Sequence, residues 1–144
     1  MPVIFNHQGI KFLYPDNWNL ASQSLDTIPI VVELQSPSSA FWTLHVYPAD
    51  SDAGEIVDEF RDAMVEEFEG LEAWPIEEME GDEPVLGYDM SFYCLDFLIA
   101  AKVRCWRLGN SLILTHAQAE DREFEETAAM FHAMTVSLMR ESKL

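Results

Sequence analysis

The chain has 144 residues, 49% of them hydrophobic, and its 26 acidic and 8 basic residues give a formal net charge of −18. This length predicts a single domain, residues 1–144, whose core needs neither a metal nor a disulfide. Because so negative a chain repels phosphate backbones and anionic lipids, we expect no nucleic acid and no membrane as its partner. The apolar runs are too short to cross a bilayer and the N-terminus lacks an export signal, which predicts a cytoplasmic location.

Two short strands are predicted at the start of the chain, at residues 3–6 and 10–14. Gly9 between them can adopt a positive φ, and Pro15 after them fixes φ and has no N–H. The pattern therefore predicts a hairpin that ends in a turn. Residues 30–36 and 42–47 are the next two predicted strands.

Alternating hydrophobicity also predicts how the third and fourth strands pair. Pairing Leu34 with Leu44, and Val32 with Val46, places all four apolar side chains on one face of the sheet. We therefore expect this register.

The first helix is predicted to begin at Ser51 or Asp52 and to end at Gly70, with Glu55 placed as in a capping box. Its apolar stripe consists of Ile56, Phe60, Met64 and Phe68. Its opposite face is acidic and carries Asp58, Glu59, Asp62, Glu66, Glu67 and Glu69. This helix therefore concentrates the negative charge of the chain.

Three strands are predicted after this helix, at residues 72–79, 85–94 and 99–108. Pro75 cannot donate to a sheet ladder, so the first of them is expected at a sheet edge or at a bulge. The other two alternate clearly and are expected to be antiparallel neighbours.

Placing the apolar side chains of these two neighbours on one face pairs Tyr88 with Cys105. The same register sets Asp89 opposite Arg104. We expect a cross-strand ion pair there.

The last strand is predicted at residues 111–119, after a turn at Gly109, and its register sets Trp106 against Ile113. The second helix is predicted from residue 122 to about residue 140. The order of four strands, helix, four strands and helix, joined by hairpins, indicates class α+β with an antiparallel sheet.

With this order, the stretch Gly-Ile-Lys-Phe-Leu-Tyr-Pro-Asp-Asn-Trp at residues 9–18 resembles the opening of the PsbP-like proteins and the Mog-type Ran-binding factors. Small bacterial domains of the same shape share the pattern. The acidic-faced first helix and the long hairpin before the last helix extend the resemblance over nearly the whole chain. It implies a three-layer α/β/α sandwich around a central antiparallel sheet with two main helices, and a function in binding without catalysis.

The favoured hypothesis is a non-catalytic binding module, such as a chaperone or adaptor for a basic or apolar protein segment. It rests on the acidic helix face, where Glu59 and Glu66 are candidate binding residues, and on a surplus of aromatic residues. Trp42, Trp74 and Trp106 are the aromatic candidates, although each could instead fill the core. The acidity could equally serve solubility or adaptation to salt. The oligomeric state, monomer or dimer, is left open.

The alternative hypothesis is a small enzyme with a cleft around His116. The four histidines occupy no recognised catalytic spacing, and no metal or cofactor motif occurs, so we expect neither group. Cys94 and Cys105 are expected to be buried thiols, too far apart for a disulfide.

Overall fold

The computed structural model describes residues 1–144 as five strands, a helix, four strands and a second helix. The elements are β1 Val3–His7, β2 Ile10–Tyr14, β3 Asn19–Ser24, β4 Ile30–Gln35, β5 Phe41–Pro48, α1 Ala53–Glu67, β6 Glu72–Glu80, β7 Glu83–Cys94, β8 Phe97–Leu108, β9 Ser111–Glu120 and α2 Asp121–Glu141.

Seven strands form one antiparallel sheet in the order β3-β4-β5-β9-β8-β7-β6, and β1 and β2 form a separate hairpin. Helix α1 packs on one face, against β7 and β8. Helix α2 packs on the other face, against β8 and β9, and also contacts β2. The class α+β and the three-layer sandwich are thus confirmed.

The two faces of the sheet carry separate cores. The core on the α2 side includes Trp42, Trp106, Ile113, Phe131 and Leu138. The core on the α1 side includes Val57, Met64, Phe92, Val103 and Leu114. Because alternate residues of β7, β8 and β9 enter different cores, these strands are apolar on both faces.

Several local predictions are confirmed. Asp52 caps α1, accepting a hydrogen bond from the Glu55 N–H at 3.1 Å. Strand β6, which contains Pro75, lies at the sheet edge, and Trp106 pairs with Ile113.

Strand β3 was not predicted. Its residues, Asn19–Ser24, are mostly polar and exposed, and it forms the other edge of the sheet. One side of an edge strand faces solvent, so it needs little of the hydrophobic alternation that identifies a strand.

The predicted register of β4 and β5 is wrong by two residues. Leu34 pairs with Trp42, and Val32 pairs with Leu44. A shift of two leaves every side chain on its face, so hydrophobicity does not distinguish the two registers. The loop distinguishes the two registers, because the Ser36 N–H donates to the Ala40 carbonyl at 2.8 Å and closes the turn over residues 37–39.

The predicted register of β7 and β8 is also wrong by two residues. Cys105 pairs with Leu86, and a two-residue turn follows Cys94. Asp89 therefore stands opposite Lys102, yet Arg104 reaches it diagonally, with 2.7 Å between Nη2 and Oδ1. The predicted ion pair is confirmed although its register is not.

Candidate functional site

A groove of about 330 Å³ lies where α2 crosses the sheet. We call it the α2 groove. Strands β5, β7, β8 and β9 form its floor, α2 forms one wall and the end of β6 forms the other. It is lined by Trp42, Glu78, Glu80, Val85, Lys102, Arg104, Trp106, Thr115, Ala117, Phe124, Ala128, Phe131, His132, Thr135 and Met139.

Sequence alternation explains how β8 supplies three lining residues. Lys102, Arg104 and Trp106 alternate along the strand and therefore point to the same face, the one that α2 covers. On α2, Ala128 lies one turn after Phe124 on the same face of the helix, and its small side chain leaves room above the floor. The groove is therefore an opening between a packed helix and its sheet.

Arg104 is held rigidly at the groove. Its Nη2 lies 2.7 Å from Asp89 Oδ1 and 3.4 Å from Glu78 Oε1, and its Nη1 donates to the carbonyls of Val103 and Tyr88. Its side chain is only 16% exposed. A guanidinium with these partners is a fixed part of the floor, with its charge already offset.

Two other charged groups at the groove are not engaged in this way. Lys102 places its Nζ 5.5 Å from the centre of the Phe124 ring and has no carboxylate within ion-pair distance. Glu80 likewise has no cationic partner. Between them, the buried Trp106 leaves its indole N–H without a hydrogen-bond partner. The groove thus offers buried aromatic side chains, one free cation and one free anion.

The structure separates the predicted binding residues. Trp42 and Trp106 meet at the groove, where both are buried. Trp74 lies on edge strand β6, 49% exposed and outside the groove lining. Glu59 and Glu66 are exposed on α1, across the sheet from the groove.

Sequence reasoning did not assign the groove roles of Lys102, Glu80, Phe124 and Ala128. The alternation of β8 gave a signal for Lys102, because it assigns that side chain to the face of Trp106. No local pattern gives the crossing of α2 over the sheet.

His116, the centre of the alternative hypothesis, is buried under α1 at 6% exposure. Its Nε2 hydrogen-bonds Gln118 Oε1 at 3.0 Å, and the rings of Phe41 and Phe60 contact it edge-on. Burial lowers the pKa of His116 to about 4, an effect that the Gln118 hydrogen bond opposes and the nearby His45 reinforces. The imidazole is therefore neutral near pH 7.

The neighbourhood of His116 lacks the partners of a catalytic histidine. No carboxylate bonds to it or to His45, whose Nδ1 is buried without a partner. Burial raises the pKa of the Cys105 thiol to about 12, an effect that Arg107 slightly opposes, so it is not a nucleophile at neutral pH. This packing gives the enzyme hypothesis no support.

Both cysteines are free, and Cys94 is exposed, so the expectation of a buried thiol is wrong at that position. It pairs with Phe97 next to the β7–β8 turn, beyond the residues of β7 that pair with β6. No group of three or more His, Cys, Asp and Glu side chains is arranged to hold a metal ion. Neither helix is long and apolar enough to span a membrane.

No protein-family model matches this sequence, and no curated protein matches it significantly. Solved structures do share its fold. Cyanobacterial PsbP (CyanoP) from Synechocystis sp. PCC 6803 superposes with a TM-score of 0.67 at 13% identity, covering 94% of this chain and 90% of that one. PA94, a protein of unknown function from Pseudomonas aeruginosa, gives a TM-score of 0.56 at 10% identity, covering 91% of each chain. The chain therefore has a PsbP-like fold, and the likeness to Mog-type factors stays a prediction.

Proposed function

We propose that this domain is a non-catalytic binding module that receives an apolar side chain of a basic protein segment in the α2 groove, as a chaperone or adaptor does. The observation that carries the proposal is an aromatic-lined groove of about 330 Å³ on a chain of net charge −18. The cytoplasmic location and the absence of nucleic-acid and membrane partners stay predictions from charge and sequence.

The groove lining favours an apolar ligand group. Trp42, Trp106, Phe124 and Phe131 converge on it, and the volume is at the lower end of the range for small-molecule sites, ~300–1,000 Å³. That space suits one or two large side chains better than a whole cofactor. Glu80 at the rim could pair with a lysine or arginine beside the inserted group.

The charge of the whole domain favours a basic partner. Acidic residues on α1 and along β6 create a negative field that attracts cationic segments and repels anionic ones. The single free cation of the groove, Lys102, is too little to reverse this preference.

The test is binding of a tryptophan-free amphipathic Lys/Leu peptide, followed by calorimetry and by intrinsic tryptophan fluorescence. We expect Ala128→Trp, which fills the groove from an exposed position on α2, to weaken binding at least ~10-fold. The matched control is Ala129→Trp, which adds the same side chain one position along the helix, outside the groove lining.

Equal binding by the Ala128→Trp and Ala129→Trp variants would refute the groove as the site. Equal affinity for a Glu/Leu peptide of the same length would refute the charge preference. Both variants should retain the wild-type unfolding midpoint within a few degrees, since both positions are exposed.

A further inference from the structure

The turn between β7 and β8 projects beyond the rest of the sheet. Strand β6 begins its pairing with β7 at Ser91, and β9 ends its pairing with β8 at Ile99. The hairpin tip at residues 93–97, which we call the finger, therefore has no third strand on either side. At ~3.3 Å per residue, the tip extends about 10 Å past the neighbouring strands.

The finger is exposed and apolar. Tyr93 is 68% exposed, Leu95 is 89% exposed and Phe97 is 59% exposed. Tyr93 and Phe97 lie on opposite faces of the hairpin and Leu95 lies at its tip, so the finger exposes large apolar side chains on both faces and at its end. Monomeric surfaces rarely display so much exposed apolar area without a role in binding.

Leu95 breaks a local rule as well. It has a φ of +57° at the first position of a two-residue hairpin turn, where Gly, Asn or Asp is favoured. Leucine in this conformation is strained, and its side chain packs against nothing that would offset the strain. A residue that serves neither the turn nor the core is best explained by a contact outside the chain.

From these observations we infer that the finger is a second binding surface, which inserts Tyr93, Leu95 and Phe97 into an apolar cleft with a basic rim on a partner protein. Carboxylates mark its surroundings: Asp96 at the tip, and Glu72 and Glu120 at the level of its base. Apolar side chains flanked by carboxylates complement an apolar cleft with a basic rim.

Two other occupants fit less well. A bilayer leaves the free backbone groups of the finger unsatisfied in hydrocarbon, whereas a protein can pair with them. A second copy of this chain would bring another net charge of −18 against these carboxylates.

The first measurement is the thermal midpoint of Leu95→Gly. Glycine relieves the strain, so we expect the midpoint to rise by about 3 °C. A fall in the midpoint would show that Leu95 stabilises the fold, and the inference would be wrong.

The second measurement selects binders from a displayed library of random peptides on the full chain. We expect peptides rich in apolar and basic residues that bind Tyr93→Ser/Leu95→Gly/Phe97→Ser at least ~10-fold more weakly. The matched control is Met79→Ser, which removes a side chain of 63% exposure near the opposite end of β7. Only peptides whose binding survives Ala128→Trp are scored against the triple variant, because peptides that lose affinity there occupy the α2 groove. A selection that yields no surviving peptide would refute the finger as a binding surface.

Undiminished binding to the triple variant would overturn the inference. So would finger-dependent self-association in sedimentation, or finger-dependent uptake onto phosphatidylcholine vesicles, because these results would assign the finger to a second copy or to lipid.

Discussion

Replacing His116 with glutamine should change how the stability of the domain depends on pH. The folded protein holds the pKa of this imidazole at about 4, below its ordinary value of 6.5, because burial disfavours the charged form. The unfolded chain therefore binds a proton at a higher pH than the folded chain does. As the pH falls below 6.5, protonation favours the unfolded state, and the stability is lost progressively towards pH 4.

The size of the effect follows from the two pKa values. One pKa unit corresponds to 1.36 kcal/mol, so the full shift is worth about 3 kcal/mol, and most of it falls between pH 7.5 and pH 4.5. The neighbouring His45, whose pKa is also lowered by burial, contributes a slope of the same sign to both proteins.

The assay is urea unfolding of the wild type and His116→Gln at several values between pH 7.5 and pH 4.5. All other ionisable groups are common to both proteins, so their contributions cancel in the difference. We expect the wild type to lose about 2 to 3 kcal/mol relative to the variant across this range. If the plots of unfolding free energy against pH are parallel for the two proteins, His116 is protonated in the folded state without opening the α1 layer. The inference that burial lowers the pKa of His116 would then be wrong.

Two further predictions test the sheet and the surface charge. A Cβ on Gly87 would lie 1.9 Å from the Val103 carbonyl oxygen, so Gly87→Ala should destabilise the domain by more than about 3 kcal/mol in urea unfolding. The control, Gly54→Ala in α1, should stabilise it slightly. A mild effect of Gly87→Ala would contradict the observed pairing of β7 with β8. Raising sodium chloride from about 10 mM to about 500 mM shortens the Debye length from ~30 Å to ~4 Å, so the thermal midpoint should rise at pH 7 as repulsion is screened. A flat midpoint would mean that the acidic residues are already compensated.

Alternation predicted which face each late strand presents, but it could not fix the registers. Both errors, at Leu34 and at Cys105, are shifts of two residues, which the period of a strand cannot detect. The turns decide between the registers. The turn at Leu95 was unrecognisable from sequence because leucine is a poor residue at positive φ.

The α2 groove was predictable only in part. The alternation of Lys102, Arg104 and Trp106 places three of its residues on one face, but burial of Trp106 depends on the path of α2. That path follows from long-range packing, including the contact between Trp18 and Phe131. Neither residue is near the other in sequence.

The α2 groove and the finger are separate surfaces on the same strands, which limits how one partner could use both. From Lys102, the β8 groove residue nearest the finger, to Phe97, an extended strand spans about 17 Å. Sites at this separation without shared contacts should contribute additively to binding energy. If the Ala128→Trp and finger variants each weaken binding of one natural partner, and their factors multiply in the combined variant, that partner spans both surfaces. If each variant affects a different partner, the domain is an adaptor that connects two proteins, and the strand between the surfaces is its spacer.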